Sequence, residues 1–393
     1  MNNSLQSNIW KYAILLVTNK RMFVAILSAY YLTIPDVTVQ SIGIIMLFGS
    51  LAGFFFEIPS GYFSDKMGHK QALVLSRVFV LFSTTFFLFA NNLFLLILGS
   101  AFLAISHAFL SGTGSAFMHE TLSGLGRDDE YTKIMGKVSS VGYAVPIILI
   151  MLVPFLVNIS FKLPFVIGLI IDAVGLVVAL SFVVPKVSQK QIEEINTKNF
   201  RQVIAEGLDL HFFRHAIFGA IMGGLLFSIG AFRAPYQILL GIPVIYFGVF
   251  HSIGRVGASL LLAYSGKLKQ RLTIISFYRF EIVLFALLLL SLAFVSNPWI
   301  IVIVFLVINA FQWGLGQVRN GFILEIIKKN QFKATLLSTK SQLATLIGGM
   351  TSLGLGLIIE NTSYQTAYLY LAIVFLAILI PLYLYIAKST QTK

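Results

Sequence analysis

The sequence contains no cysteine, which rules out disulfide frameworks and thiolate-ligated metal centres. Charge is scarce too. Only 11% of residues are charged, against about a quarter in an ordinary soluble domain. No G-x-x-x-x-G-K-[ST] run occurs, so direct nucleotide-driven pumping has no phosphate-binding loop to rest on. His119-Glu120 begins like the zinc motif H-E-x-x-H but lacks its second histidine. With no clustered metal ligands and no nucleophile–base pattern, neither enzymatic activity nor a cofactor is expected. The opening MNNSLQSNIWKYAILLV has no basic n-region and no early small-residue cleavage site, so its apolar segment is expected to be retained.

What is abundant is apolar. Hydrophobic residues make up 58% of the 393, and 36 residues are phenylalanine. Runs of near 20 apolar residues recur, each able to cross about 30 Å of hydrocarbon. The pattern predicts an all-α polytopic membrane protein with spans at 12–34, 41–62, 71–90, 93–118, 134–157, 163–185, 215–238, 244–264, 272–294, 298–322, 335–359 and 365–387. The breaks carry turn chemistry, as at Pro35-Asp36, Asn91-Asn92, Gly241-Ile242-Pro243 and Ser296-Asn297-Pro298. A formal charge of +13 raises nucleic acid as a partner, but its distribution argues against it. Loops after even-numbered spans hold Lys66, Lys70, Arg127, Lys267, Lys269, Arg271 and others, whereas loops after odd-numbered spans offer only Lys162. That asymmetry places both termini in the cytoplasm, in a bacterial inner or plasma membrane. Lipid is then an obligatory partner, and a monomer is expected.

One long connection, 186–214, separates an N-terminal bundle at 1–185 from a C-terminal bundle at 215–393. Within it Ile192, Ile195, Phe200, Val203 and Ile204 fit one side of an interfacial helix. The two halves resemble each other. IGIIMLFGSLAGFFFEIPSG (42–61) aligns without a gap on FGVFHSIGRVGASLLLAYSG (247–266), pairing Gly43, Gly49, Ser60 and Gly61 with Gly248, Gly254, Ser265 and Gly266. Beyond a three-residue deletion, Arg77 falls opposite Arg279, and AFLSGTG (108–114) resembles AFQWGLG (310–316). Two pseudo-symmetric six-helix bundles follow, a usual construction of secondary transporters. The small-residue runs SGTGSA and GLGQ fit tight helix packing in spans 4 and 10.

Between spans 2 and 3 stands GYFSDKMGHKQ, 61–71. Gly61 permits a tight helix end or a close neighbour, and Gly68 a left-handed turn. Asp65 can receive amides at a helix start or pair with an arginine, and Lys66, His69 and Lys70 suit the anionic inner leaflet. A solvated turn is the plain reading and a conformational latch the sharper one. Gly61, Asp65, Lys66, Gly68 and Lys70, as G-x-x-x-D-K-x-G-x-K, resemble the loop 2–3 signature of the major facilitator superfamily. EIPSG (57–61), SGTGSAFMHETL (111–122) and KATLLSTKSQ (333–342) are similar to patterns of one of its branches. The resemblance covers essentially the whole chain. It implies twelve helices in two domains, alternating access, and a cytoplasmic gate stabilised by Asp65 with Gly61, Gly68 and Lys70 in support. His69 departs from the usual arginine or lysine, and the second copy, SGKLKQR (265–271), has no aspartate, so any latch is asymmetric.

Ionisable groups inside the membrane need a cavity or a counter-charge. Asn19, Lys20 and Arg21 interrupt span 1, either as a cationic patch on the solute path or because Tyr12–Val17 lies along the membrane surface. Asp172, deep in span 6, fits a proton carrier or a buried pair with an arginine of a neighbouring helix. Arg233 suits substrate, an outer gate or a snorkelled interface position. Arg255 in span 8 and Arg279 with Glu281 in span 9 are further candidates; the last two, two residues apart, call for separate partners. Glu57 fits a cytoplasmic charge network with Asp65 or Arg77. His107 reads as a hydrogen-bonded core histidine or a titrating group. Asn309, Gln312 and Gln317 offer hydrogen bonds to substrate, and Trp313, Tyr30, Tyr31, Tyr143 and Tyr236 offer aromatic walls.

The expected function is proton-coupled secondary transport, with export of a small amphiphilic drug or metabolite preferred to import of a small polar solute. A sensor or scaffold built on a transporter frame is the rival reading.

Overall fold

The computed structural model describes residues 2–185, 207–327 and 333–391. Fourteen α-helices lie among them: α1 Asn2–Asn19, α2 Leu27–Tyr31, α3 Val39–Met67, α4 His69–Leu88, α5 Leu93–Leu110, α6 Thr113–Ser123, α7 Tyr131–Val157, α8 Leu163–Leu180, α9 Phe212–Leu239, α10 Phe247–Arg271, α11 Ile274–Phe294, α12 Pro298–Ile326, α13 Lys333–Asn361 and α14 Tyr364–Gln391. Eleven helical segments are long and apolar enough to cross a membrane, with α5 and α6 counted as one. Helices are what an apolar environment demands, because they satisfy their backbone polar groups internally. The interfacial-helix residues expected between the bundles lie outside the described residues.

The asparagine punctuation acts as expected. Asn92 caps α5 by accepting from the Leu95 amide at 3.1 Å. Asn297 caps α12, accepting from Trp299 and Ile300 at 3.0 and 3.3 Å, with Pro298 supplying a first helical residue that needs no donor.

Three sequence expectations are corrected. The first span is not continuous: α1 ends at Asn19, and residues 20–26 form turns before α2. Nor does Tyr12–Val17 lie along a surface. Tyr12 and Leu15 are buried in a core with Leu73, Phe117, Met118, Ile134 and Ala179, so this stretch is packed rather than peripheral. Span 4 is also interrupted. Gly112, at φ +73°, divides α5 from α6, so the SGTG run serves as a break where Gly alone is unstrained.

The described chain divides into two compact units, one drawn from Met1–Tyr30, Ile34–Asp36 and Phe48–Thr197, the other from Tyr31–Thr33, Val37–Leu47 and Lys198–Lys393. Two helix pairings recur in both. In the first, α1 packs on α7 and α4 on α8; in the second, α9 packs on α13 and α11 on α14. These are spans 1 with 5 and 3 with 6, repeated as 7 with 11 and 9 with 12. The repeated glycines share a role. A Cβ at Gly49 would collide with the Ser100 hydroxyl of α5, and one at Gly254 would meet the Asn309 side chain of α12 at 3.2 Å. Small residues let these backbones approach.

Gly254→Leu is therefore expected to destabilise the protein by about 1–3 kcal/mol through overpacking. Gly266→Leu, at a position where a Cβ meets nothing within 4 Å among the described residues, is expected to be tolerated. Apparent melting temperatures of the two purified variants in one detergent check the contrast, which equal losses would contradict.

Candidate functional site

The break in the first span delivers Arg21 to the interior of the first unit. Its Nη1 and Nη2 donate to Asp172 Oδ2 and Oδ1, each at 2.7 Å, a two-pronged geometry only a guanidinium offers. Thr84 Oγ1 donates to Asp172 Oδ2 at 2.5 Å and accepts from Arg21 Nη1 at 3.1 Å. Arg21 Nη2 also donates to the Thr18 carbonyl, 3.1 Å away, an oxygen near the end of α1. Asp172 is 0% exposed and Arg21 8%. Of the two roles open to Asp172, the geometry displays the pair with an arginine, one that lies in the break between α1 and α2 rather than on a neighbouring helix.

Arg77 lies beside this pair, within the fields of Arg21 and Asp172. The cytoplasmic network expected to join it to Glu57 or Asp65 is absent among the described residues. Arg77 is 0% exposed and donates inward, to Asn19 Oδ1 at 2.6 Å and Ser76 Oγ at 3.1 Å. Its Nε and Nη1 have no hydrogen-bond acceptor among the described residues. Lys20 is exposed. So is His107, which feels Arg21, Arg77 and Lys20, and no side-chain hydrogen bond to it is found among the described residues. The hydrogen-bonded core histidine expected at 107 is thus corrected. This interior holds two guanidiniums to one carboxylate.

At the signature stretch, α3 runs on to Met67 and α4 starts at His69, so a single residue, Gly68 at φ +100°, makes the turn. Gly61 is inside α3, where a Cβ would meet nothing within 4 Å; it does not end the helix, and it admits no close neighbour among the described residues. Asp65, Lys66 and Lys70 fall on the helix ends, and Lys66 lies over the Tyr62 ring at 5.7 Å. Asp65 is exposed and forms no ion pair with an arginine among the described residues. The residue that makes the link is His69. Its Nε2 is 3.1 Å from Glu120 Oε1 and its Nδ1 2.8 Å from Ser64 Oγ. Thr113 in turn donates to Ser64 Oγ at 3.1 Å. One tautomer satisfies the whole chain: Thr113 to Ser64, Ser64 to Nδ1, and Nε2–H to Glu120. Glu57 is half-buried on α3, next to Ser111. Outside the spans, Arg127 donates to Glu130 at 3.1 and 2.7 Å, which holds that carboxyl below its ordinary range.

The second unit contains two charge clusters. In one, Glu281 is 0% exposed and accepts from Arg319 Nε and Nη2 at 3.1 and 2.6 Å. Lys340 donates to Asn320 at 2.5 Å and lies in the field of both Glu281 and Arg319. Arg279 is exposed, so the repeat-related arginines 77 and 279 have opposite surroundings. Arg319 stands inside the 298–322 run and was legible as an arginine among apolar residues, but the sequence reading did not single it out.

The other cluster gathers three helices. Arg233 of α9 donates from Nη2 to His251 Nδ1 at 2.8 Å, and Arg255 Nε approaches His251 Nε2 at 3.4 Å. The Arg255 guanidinium stacks over the Trp313 ring of α12 at 4.3 Å, and Asn309, one turn earlier, is buried with Oδ1 lacking a donor among the described residues. Gln312 is half-buried. His251 escaped the sequence reading, although it precedes Arg255 by four residues and so shares its helix face. The two guanidiniums meet one imidazole at its two nitrogens, and Arg233 lies in the field of Arg255.

A family model described as the Major Facilitator Superfamily matches residues 12–348. An uncharacterized MFS-type transporter, YxaM of Bacillus subtilis (strain 168), is 23% identical over 248 residues, which are 62% of this chain and 61% of that protein. The match thus spans about three fifths of that relative. Among solved structures, the nucleoside transporter NupG aligns with TM-score 0.75 at 15% identity, covering 96% of this chain and 98% of that one. A bacterial homolog of the human lysosomal transporter Spinster, in an inward-facing and occupied conformation, aligns with TM-score 0.66 at 14% identity over 98% and 96%. At such identities the likeness is one of fold.

Removing one member of the Arg21–Asp172 pair strands a buried charge, whereas removing both does not. Asp172→Asn is expected to cost about 3–5 kcal/mol, and Arg21→Met with Asp172→Leu to recover most of it. Thermal unfolding of the single and double variants decides; a double variant no better than the single one would contradict the pairing energetics.

Proposed function

The chain belongs to the major facilitator superfamily, and from that membership we propose that it is a secondary active transporter carrying a small organic solute by alternating access. The observation that carries the proposal is the interrupted first helix, with Arg21, Asp172 and Arg77 gathered at the break. Secondary transporters build their solute and ion sites from discontinuous helices, and ionisable groups at membrane depth are retained where they do work.

Proton coupling through Asp172 is the energy source in this reading. In the pair, both Asp172 oxygens accept hydrogen bonds from Arg21 and Thr84, so the carboxylate and the break in the first helix are mechanically joined. Opening the pair is the step this reading assigns to the coupling of ion and conformation. Export of an amphiphilic solute is the direction supported by the aromatic-rich spans, with the termini and the 61–71 turn on the cytoplasmic side. Asp65 is assigned to the gate: it sits at the end of α3 in the fields of His69 and Glu120, yet no ion pair among the described residues depends on it.

Purified protein in proteoliposomes, given an imposed proton gradient and a panel of labelled organic solutes, is expected to move at least one of them against its concentration. No gradient-dependent movement by folded protein would favour the sensor reading. Asp65→Asn is expected to keep the wild-type melting temperature while slowing turnover by about tenfold; wild-type rates would remove Asp65 from the gate.

A further inference from the structure

We propose that Glu57 is a second proton-binding carboxylate of the transport cycle, carrying a proton while Asp172 is held by Arg21. The inference rests on the proton-coupled transporter reading and adds to it the group that holds the proton in the conformation seen.

Depth is the first reason. Glu57 lies nearly three turns before the end of α3 at Met67, about 15 Å by helical rise, in a helix of membrane-spanning length. A carboxylate there needs a positive partner. Asp172 and Glu281 each have an arginine on two prongs. Glu57 is half-buried and forms no ion pair within 4 Å among the described residues. Burial and the Ser111 hydroxyl are what act on it. The titratable groups around it answer to others. Asp65 on α3 lies in the fields of His69 and Glu120, Arg77 on α4 donates to Asn19 and Ser76, and His107 on α5 feels Arg21, Arg77 and Lys20. Because His107 precedes Ser111 by four residues, the face of α5 that meets Glu57 also reaches the surroundings of the Arg21–Asp172 pair.

The backbone around Glu57 is the second reason. Pro59, inside α3, offers no amide to the Phe55 carbonyl one turn back. Ser111 closes the C-terminal end of α5, and Gly112 at φ +73° separates α5 from α6. The Ser60 hydroxyl ties the two places together, 2.9 Å from the Glu57 carbonyl and 3.0 Å from the Ala108 carbonyl. A helix C-terminus is the negative end of its dipole and draws cations, and transporters build ion sites from such half-helix ends. Among the described residues no three His, Asp or Glu side chains are grouped to hold a metal ion, which favours a proton as the cation.

The internal repeat is the third reason. When 42–61 is laid on 247–266, Leu262 stands opposite Glu57 and Ser265 opposite Ser60. Ser265 Oγ donates to the Leu262 carbonyl at 2.7 Å, as Ser60 Oγ does to that of Glu57. The same local backbone thus forms around a leucine, so the helix does not need a carboxyl for its packing. An acid that the frame does not require is there for what it binds. The proton comes from water on one side, forms an O–H bond on the Glu57 carboxyl, and leaves to water on the other side when that bond breaks.

The test reads protonation directly and needs no solute. Infrared difference spectra are recorded on protein in phosphatidylcholine nanodiscs as the buffer is taken from acid to alkaline, first without sodium and then with it. The unaltered protein is expected to show a protonated-carboxyl C=O band that fades as pH rises, Glu57→Gln to lack that band, and Glu57→Asp to restore it at a shifted frequency. Glu57→Leu, which copies the second unit, is expected to keep the melting temperature. In proteoliposomes, Glu57→Gln is expected to lose about tenfold or more of gradient-driven accumulation while solute exchange without a gradient persists. The absence of the band, an unchanged band in Glu57→Gln, or its displacement by sodium at fixed pH overturns the proposal. So does a clear loss of stability in Glu57→Leu, or undiminished accumulation by Glu57→Gln. A missing band with intact flux removes Glu57 alone, whereas the band without any flux removes the transporter reading and leaves the proton site.

Discussion

Burying charge in a chain that is 58% hydrophobic is the constraint on which the rest of the structure depends. A charge at membrane depth costs several kcal/mol unless matched, so each one dictates what stands opposite it. The Arg21–Asp172 pair shows how far this reaches. To bring a guanidinium to Asp172 of α8, the chain interrupts its first helix at residues 20–26. The turn of α1 before the break then gives its Thr18 carbonyl to the same guanidinium. One pairing thereby fixes the end of a helix, the position of α8 and the orientation of Thr84 on α4.

The two units share a frame and differ in what they attach to it. Their helix pairings repeat, and Gly49 and Gly254 serve the same kind of contact, yet the charges do not follow the repeat. The first unit joins span 1 to span 6 through Arg21 and Asp172; the second joins span 9 to span 10 through Glu281 and Arg319. Duplicated backbones are held in register by small residues and ridge packing, which tolerate divergence elsewhere. Charges are tied to function, so once two halves have different tasks the pressure to keep them equivalent is gone. The loss of the aspartate in SGKLKQR and the opposite fates of Arg77 and Arg279 belong to the same asymmetry.

The fold was largely legible in the sequence because apolar runs of membrane length have few other outcomes. The breaks at Asn91-Asn92 and Ser296-Asn297-Pro298 were readable as well, since turn residues mark them locally; that Asn92 and Asn297 cap the helices that follow came from the structure. The site was legible in its residues and much less in its pairings. Arg21, Asp172, Glu281, Arg233 and Arg255 all stand out as charges in oil. Which charge answers which depends on helix rotation and neighbourhood, properties that no local spacing encodes. Asp172 meets a residue 151 positions away. Arg77 turned inward, although its place near a charged stretch pointed to the surface. His107 shows the opposite error: an apolar run suggested a core position, and the structure exposes the ring.

His69 shows what a departure from a family pattern can mean physically. An arginine or lysine at that position would bring a fixed positive charge and no acceptor. Histidine brings a ring with a donor at one nitrogen and an acceptor at the other, and the surroundings use both. Ser64 and Thr113 complete one side and Glu120 the other, tying the α3–α4 turn to α6 by hydrogen bonds that do not require the ring to be charged. Asp65 is then relieved of holding the turn together. A residue freed from a structural duty can make and break contacts during a cycle without unfolding its own helix end, which is what a gate residue has to do.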